Sequence, residues 1–112
     1  MQHTFTVQGR PKPKERPRSL RATGRTYTPK TTLEVQQKIA EQYAGPVFEG
    51  PVEIEVIFSP TETHVVISDL PPDARSKLGG DLDNYLKLLG DALQGVAYKN
   101  DKQIHKITAR KM

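Results

Sequence analysis

The sequence predicts an α+β fold, a small mixed β-sheet packed by two helices, and three observations carry that expectation. Val52, Ile54, Val56 and Phe58 alternate along one short run, the period of a half-buried strand. Apolar residues recur at spacings of three and four in two longer runs, 29–43 and 81–93, the period of helices. A chain of 112 residues is one domain, 1–112. At this size only about two-thirds of the unfolded surface is removed from water, so self-association would help.

The elements follow in order. His3, Phe5 and Val7 alternate as one face of a first strand, and a basic, proline-rich arm occupies 10–30. Within the arm, Leu20–Tyr27 can form a short hairpin around Thr23-Gly24. Thr28 before Pro29 opens a helix running through Tyr43, with Val35, Ile39, Ala40 and Tyr43 inward, a Glu34–Lys38 pair outward and Gly45-Pro46 ending it. After the Val52–Phe58 strand, residues 59–80 read as a long loop containing Pro60, Pro71, Pro72, Gly79 and Gly80, with a short strand at Val65–Ile67. Its place just before Asp81 suits a ligand-facing or dimer-swapping element. The second helix begins at Asp81, and Gly95 ends it. Val96–Lys99 then returns the chain toward the helix start. Gln103–Lys111 reads as a last strand, in which Ile104 and Ile107 point to opposite faces, implying a bulge or an intermolecular contact.

Composition narrows the function classes. The absence of cysteine excludes disulfides and thiolate zinc sites and fits a reducing compartment. No apolar run approaches the ~20 residues of a membrane span, and the N-terminal residues lack a signal-peptide pattern. A soluble, cytoplasmic protein with no membrane partner is expected. Charge placement says more than the net +4. Arg10, Lys12, Lys14, Arg16, Arg18, Arg21, Arg25 and Lys30 face one acid, Glu15, along the arm. Such a segment repels itself unless a polyanion lies beside it, so it is read as a phosphate-contacting arm, the alternative being a solvated arm. Tyr27 suits either base stacking or packing.

The acidic segment is the most informative. Asp83, Lys87 and Asp91 recur every fourth residue and share one helix face, while Leu82, Leu86, Leu89 and Leu93, with Ala92, form a separate apolar stripe for a core. Folding therefore does not need the charges. Asp81 stands at the helix start, where negative charge is favoured, and with Asp83 can hold a divalent cation. The alternative is a solvated face of weak ion pairs. A calcium EF-hand fails on spacing: counted from Asp81, the sixth position is Leu86 rather than glycine and the twelfth is Ala92 rather than glutamate. Asp101 after Asn100 adds a further acid downstream. His64 reads as a surface residue, and His105 lies close to Asp101 in sequence.

The string GDLDNYLKLLGDALQG followed by YKNDKQI closely resembles the RusA family of Holliday-junction resolvases, over residues 80–104. The segment Gly9–Arg18 is similar to the basic arm of many phage members. The resemblance implies a homodimer with a metal site of three carboxylates, mapping onto Asp81, Asp83 and Asp101. It makes Lys87 the essential basic residue, with Asp91 and Asn84 supporting. Some members carry two adjacent acids where this chain has Asn100-Asp101, so no metal role is expected for Asn100. It further implies magnesium, with manganese able to substitute, and no nucleotide cofactor. Carboxylates without nearby cysteine or histidine independently suit a hard cation. The expectation is thus a homodimeric, magnesium-dependent endonuclease that resolves four-way DNA junctions by paired nicks in recombination and repair. The alternatives are a catalytically weak DNA-binding module and a broader flap or fork nuclease.

Overall fold

The alternating runs form one sheet. In a computed structural model describing residues 1–14, 18–19, 26–27 and 29–112, with backbone alone at 18–19 and 26–27, strand β1 (Gln2–Gln8) pairs with β5 (Glu62–Asp69), which pairs with β4 (Val52–Phe58). Both ladders are antiparallel, so the sheet is antiparallel throughout where a mixed one was expected. The register places His3 beside Ile67 and Phe5 beside Val65 on one side, and Ile54 beside Ile67 and Val56 beside Val65 on the other. One face therefore carries His3, Phe5, Val7, Thr63, Val65, Ile67, Val52, Ile54, Val56 and Phe58.

The expected long loop 59–80 is largely this hairpin. β5 spans 8 residues and is the central strand, where only Val65–Ile67 was expected. Its β-branched residues Thr63, Val65 and Ile67 take one face, and Val66 among the polar residues on the other blurs the alternation. Ser59 closes the turn: its backbone N–H and its hydroxyl both donate to the Glu62 carbonyl at 2.9 Å, and its Oγ accepts from the Glu62 amide at 3.1 Å. Within the arm, β2 (Arg18–Ser19) pairs antiparallel with β3 (Thr26–Tyr27). The Thr23-Gly24 turn expected there lies outside the described residues.

Helix α1 spans Lys30–Glu41, with Pro29 at its N-cap and Gln42 at its C-cap, two residues short of the expected end. Tyr43 leaves the helix and lies edge-on to His3 and Phe5, with ring centroids 5.0 and 5.3 Å apart. Its hydroxyl donates to the Pro46 carbonyl. Gly45 is required here, because a Cβ would come within 2.7 Å of the His3 ring. The expected Glu34–Lys38 pair is replaced by Lys30–Glu34 at 4.0 Å. Both alternatives are one turn apart on the same exposed face and are worth little.

Contacts divide the chain into two compact units, Met1–Leu70 and Pro71–Met112. The second holds a short 3₁₀ turn (Pro72–Ala74), helix α2 (Leu82–Leu93) and a second 3₁₀ turn (Asp101–Gln103). Gly95 ends α2 region as expected, at φ +84°, a conformation glycine adopts without steric cost. The strand expected at 103–111 is not formed. The Asn100–Gln103 turn occupies its beginning, and at its far end Lys111 and Met112 bond to residues 76–80 instead of to a ladder.

Among the described residues no hydrophobic side chain is buried. The apolar stripe of α2 was expected to enter a core, yet Leu89 is 57% and its neighbour Leu88 74% exposed, and Ile54 and Phe58 of β4 are exposed at 59% and 70%. No helix among the described residues is long and apolar enough to cross a membrane.

Candidate active site

On α2 the leucines at 82, 86, 89 and 93 share one stripe, and the acids lie off it. Asp81 is the N-cap, in extended backbone at φ −75° and ψ 141°. Its carbonyl accepts from the amides of Asn84 (3.1 Å) and Tyr85 (3.2 Å), which starts the helix. An N-cap aspartate usually spends its carboxylate on those amides. Here the Asp81 side chain makes no cap bond and is left for another partner.

Asp83 follows in the first turn, and Asp83, Asn84, Lys87 and Asp91 are all exposed. None of the three charged groups forms an ion pair with a described residue; the pairs present there are the Met1 amino group with Asp69 at 2.9 Å, and Lys30 with Glu34. The Asp-Lys-Asp stripe is therefore not a ladder of bridges, and no described residue pairs with its charges. Just before it, the Gly80 amide donates to the Tyr85 hydroxyl at 3.1 Å.

The return segment is built by side chains. Beyond Gly95, whose amide donates to the Tyr98 carbonyl at 2.6 Å, the Tyr98 hydroxyl reaches back to the Gly90 carbonyl, also 2.6 Å. Asn100 then caps the Asp101–Gln103 turn: its Oδ1 accepts from the Lys102 amide at 2.9 Å, while Gln103 Oε1 accepts from the amides of Asn100 (3.0 Å) and Lys99 (2.8 Å). Asn100 thus has a structural task where a second acid was absent, and Asp101, the next residue, is exposed. Among the described residues no three His, Asp or Glu side chains are grouped so as to hold a metal ion.

The histidines have other partners. His64 lies on β5, with its Nδ1 3.3 Å from Thr6 Oγ1 across the sheet, not in a loop. His105 Nδ1 is 2.7 Å from the Gln103 carbonyl, and because a carbonyl only accepts, this nitrogen carries the proton.

Of the basic arm, Arg10, Lys12 and Lys14 are exposed, and Lys12 and Lys14 line a cavity of about 490 Å³ with Thr32, Glu34 and Lys38 of α1. The side chains of Arg16, Arg18, Arg21, Arg25 and Tyr27 lie outside the described residues. Sequence reasoning missed Tyr85, Tyr98 and Gln103. Only the last had a readable signal, the Asn-x-x-Gln capping pattern.

A family model, endodeoxyribonuclease RusA, matches residues 8–112, nearly the whole chain. No curated protein and no solved structure matches.

Proposed function

Because the chain belongs to the RusA endodeoxyribonuclease family, metal-dependent nucleases that resolve Holliday junctions, we propose that it cuts four-way DNA junctions by paired nicks as a magnesium-dependent homodimer acting in recombination and repair. The observation that carries this is the set of carboxylates at 81, 83 and 101, exposed, without ion pairs among the described residues, and held on two short structured segments of one unit.

The donor set suits a hard divalent cation, since all its donors are oxygen. Asp81, Asp83 and Asp101 would hold the ion. Drawing a third carboxylate toward two others costs Coulomb repulsion that a divalent charge reverses. When bound, the metal supplies a hydroxide nucleophile and compensates charge on the phosphate. Lys87, one helical turn beyond Asp83 and without an ion pair among the described residues, contributes a point charge to the phosphate as negative charge develops. Asp91, a further turn on, limits where that ammonium can settle, and Asn84 offers a neutral donor beside Asp83. Arg10, Lys12 and Lys14 hold DNA through its backbone, which positions the junction without reading sequence.

The homodimer is supported by symmetry. Paired nicks across a junction need two matched sites, which a two-fold dimer provides.

The deciding experiment is cleavage of a fixed four-way junction beside matched duplex and flap DNA, in magnesium and in chelator. Paired nicks in the junction alone, abolished by chelator, are expected. Equal cutting of flaps assigns a broader nuclease, and binding without cutting a DNA-binding module.

A further inference from the structure

The turn that delivers Asp81 is clamped from the other end of its unit. Gly79 and Gly80 precede Asp81, and consecutive glycines form the most conformationally free backbone a chain can have. The Lys111 ammonium, half-buried, lies 2.9 Å from the Gly80 carbonyl and 3.4 Å from that of Leu78, and donates to both. On the other side of the same glycine, the Gly80 amide donates to the Tyr85 hydroxyl, and the Tyr85 ring fills the space a side chain would take: a Cβ on Gly80 would come within 2.8 Å of that hydroxyl. Ser76 adds a second tie, its Oγ donating to the Met112 carbonyl at 2.8 Å and accepting from the Leu78 amide at 3.0 Å.

We propose that Lys111 is a positioning residue for cleavage: by holding the Gly80 carbonyl it fixes the Gly80–Asp81 peptide plane, and so the direction in which the Asp81 carboxylate leaves the start of α2. The Gly80 oxygen and the Asp81 nitrogen belong to one rigid plane. Rotation of that plane is rotation about the Asp81 backbone, which swings the carboxylate. Tyr85 holds the preceding plane through the Gly80 amide and Lys111 holds this one through the Gly80 carbonyl, so the planes on both sides of the Gly80 Cα are tied. Lys111 forms no ion pair with Asp81, so it orients the carboxylate without neutralising it. An ammonium directed at two main-chain carbonyls is also poorly placed to serve a DNA phosphate. The inference rests on the proposed metal role of Asp81.

The test compares Lys111→Met, which keeps the stem and removes the donors, with Lys111→Arg, which restores donors. Exchange of the Gly80 amide with solvent, measured without metal, should speed by roughly tenfold in Lys111→Met. Single-turnover cleavage at saturating enzyme should fall by roughly tenfold, and more magnesium should be needed for half-maximal rate, while junction affinity stays within about twofold. Lys111→Arg should recover most of each. Unchanged amide exchange and an unchanged magnesium midpoint overturn the proposal. So does weakened junction binding with a salt slope reduced by about one, because that identifies a phosphate contact. If Lys111→Met does not fold, Ser76→Ala, which unties Met112, should show the same changes at smaller size, and their absence counts equally against the clamp. Asp81→Asn separates the two levels: wild-type cleavage by that variant removes the metal role of Asp81, whereas its inactivity beside an unaffected Lys111→Met removes the positioning role alone.

Discussion

The sheet of the first unit and the acidic region of the second are held in place by different means. Along β5, every residue from Thr63 to Ser68 is paired on both sides, and the register is fixed by main-chain groups that all residues share. In the second unit, Tyr85 holds Gly80, Tyr98 holds Gly90, and Asn100 and Gln103 hold the turn that carries Asp101. Each of these ties is one side chain on one or two main-chain atoms. The ladder averages over many substitutions, whereas the acidic region concentrates its geometry in a few residues, so single changes there should reach the chemistry with little loss of fold.

The largest effect should come from the acids themselves. Asp83→Asn conserves shape but removes an ionised oxygen donor, and cleavage of a four-way junction should fall by roughly a hundredfold or more with an unchanged circular dichroism spectrum. Binding measured without metal should hold or tighten, since an anion that repels phosphate has gone. Wild-type rates in magnesium would remove Asp83 from the site.

Lys87→Ala comes next. On an exposed helix face a structural lysine is worth under about 1 kcal/mol, and here it has no ion pair with a described residue to lose. The melting temperature and junction affinity should therefore stay near wild type, while the single-turnover rate drops by roughly tenfold to a hundredfold. Lys87→Arg should recover only part of that rate, because a planar guanidinium does not reproduce a compact point charge. A rate within a few-fold of wild type would return the charged stripe to plain solvation.

Legibility in the sequence divides along the same boundary. Strand β4 and both helices were readable because period-two and helical patterns are local properties of the chain, and the acids were readable from their spacing on α2. Two features were not. β5 was hidden by Val66, which puts an apolar residue on the polar face, and by the prolines at 60, 71 and 72, which suggested loop on both sides. Its identity as the central strand depends on β1, over fifty residues earlier, an interaction with no local signature. The missing final strand has the opposite cause: Gln103–Lys111 has the β-branched residues of a strand, but the capped turn at its start and the ties of Lys111 and Met112 direct its main chain elsewhere. The ties of Tyr85, Tyr98 and Lys111 join residues whose pairing follows only from the folded path.

A substitution in the first unit sharpens the comparison from the other side. Gly45→Ala would set a Cβ 2.7 Å from the His3 ring and force apart the cluster of His3, Phe5 and Tyr43. Overpacking of this kind costs about 1–3 kcal/mol, readable in denaturant titration. Cleavage per folded molecule at saturating enzyme should be unchanged. A specific loss of rate would show that the sheet's geometry reaches the acids and would blur the distinction between the units.

The smallest expected effect tests whether Asp101 depends on the return segment. Tyr98→Phe removes a hydroxyl that donates to the Gly90 carbonyl at 2.6 Å and leaves the ring. One hydrogen bond of this type contributes about 0.5–1.5 kcal/mol. The main-chain bond from the Gly95 amide to the Tyr98 carbonyl survives the change, and so does the capped turn at Asn100, so Asp101 should remain structured but less firmly related to α2. The melting temperature should fall by only a few degrees, and the rate by about twofold to fivefold, with the deficit narrowing as magnesium is raised. That recovery is the informative part: a site loosened but chemically intact regains rate when more ion is available to gather its carboxylates, whereas a deficit that ignores magnesium would separate the placement of Asp101 from metal binding.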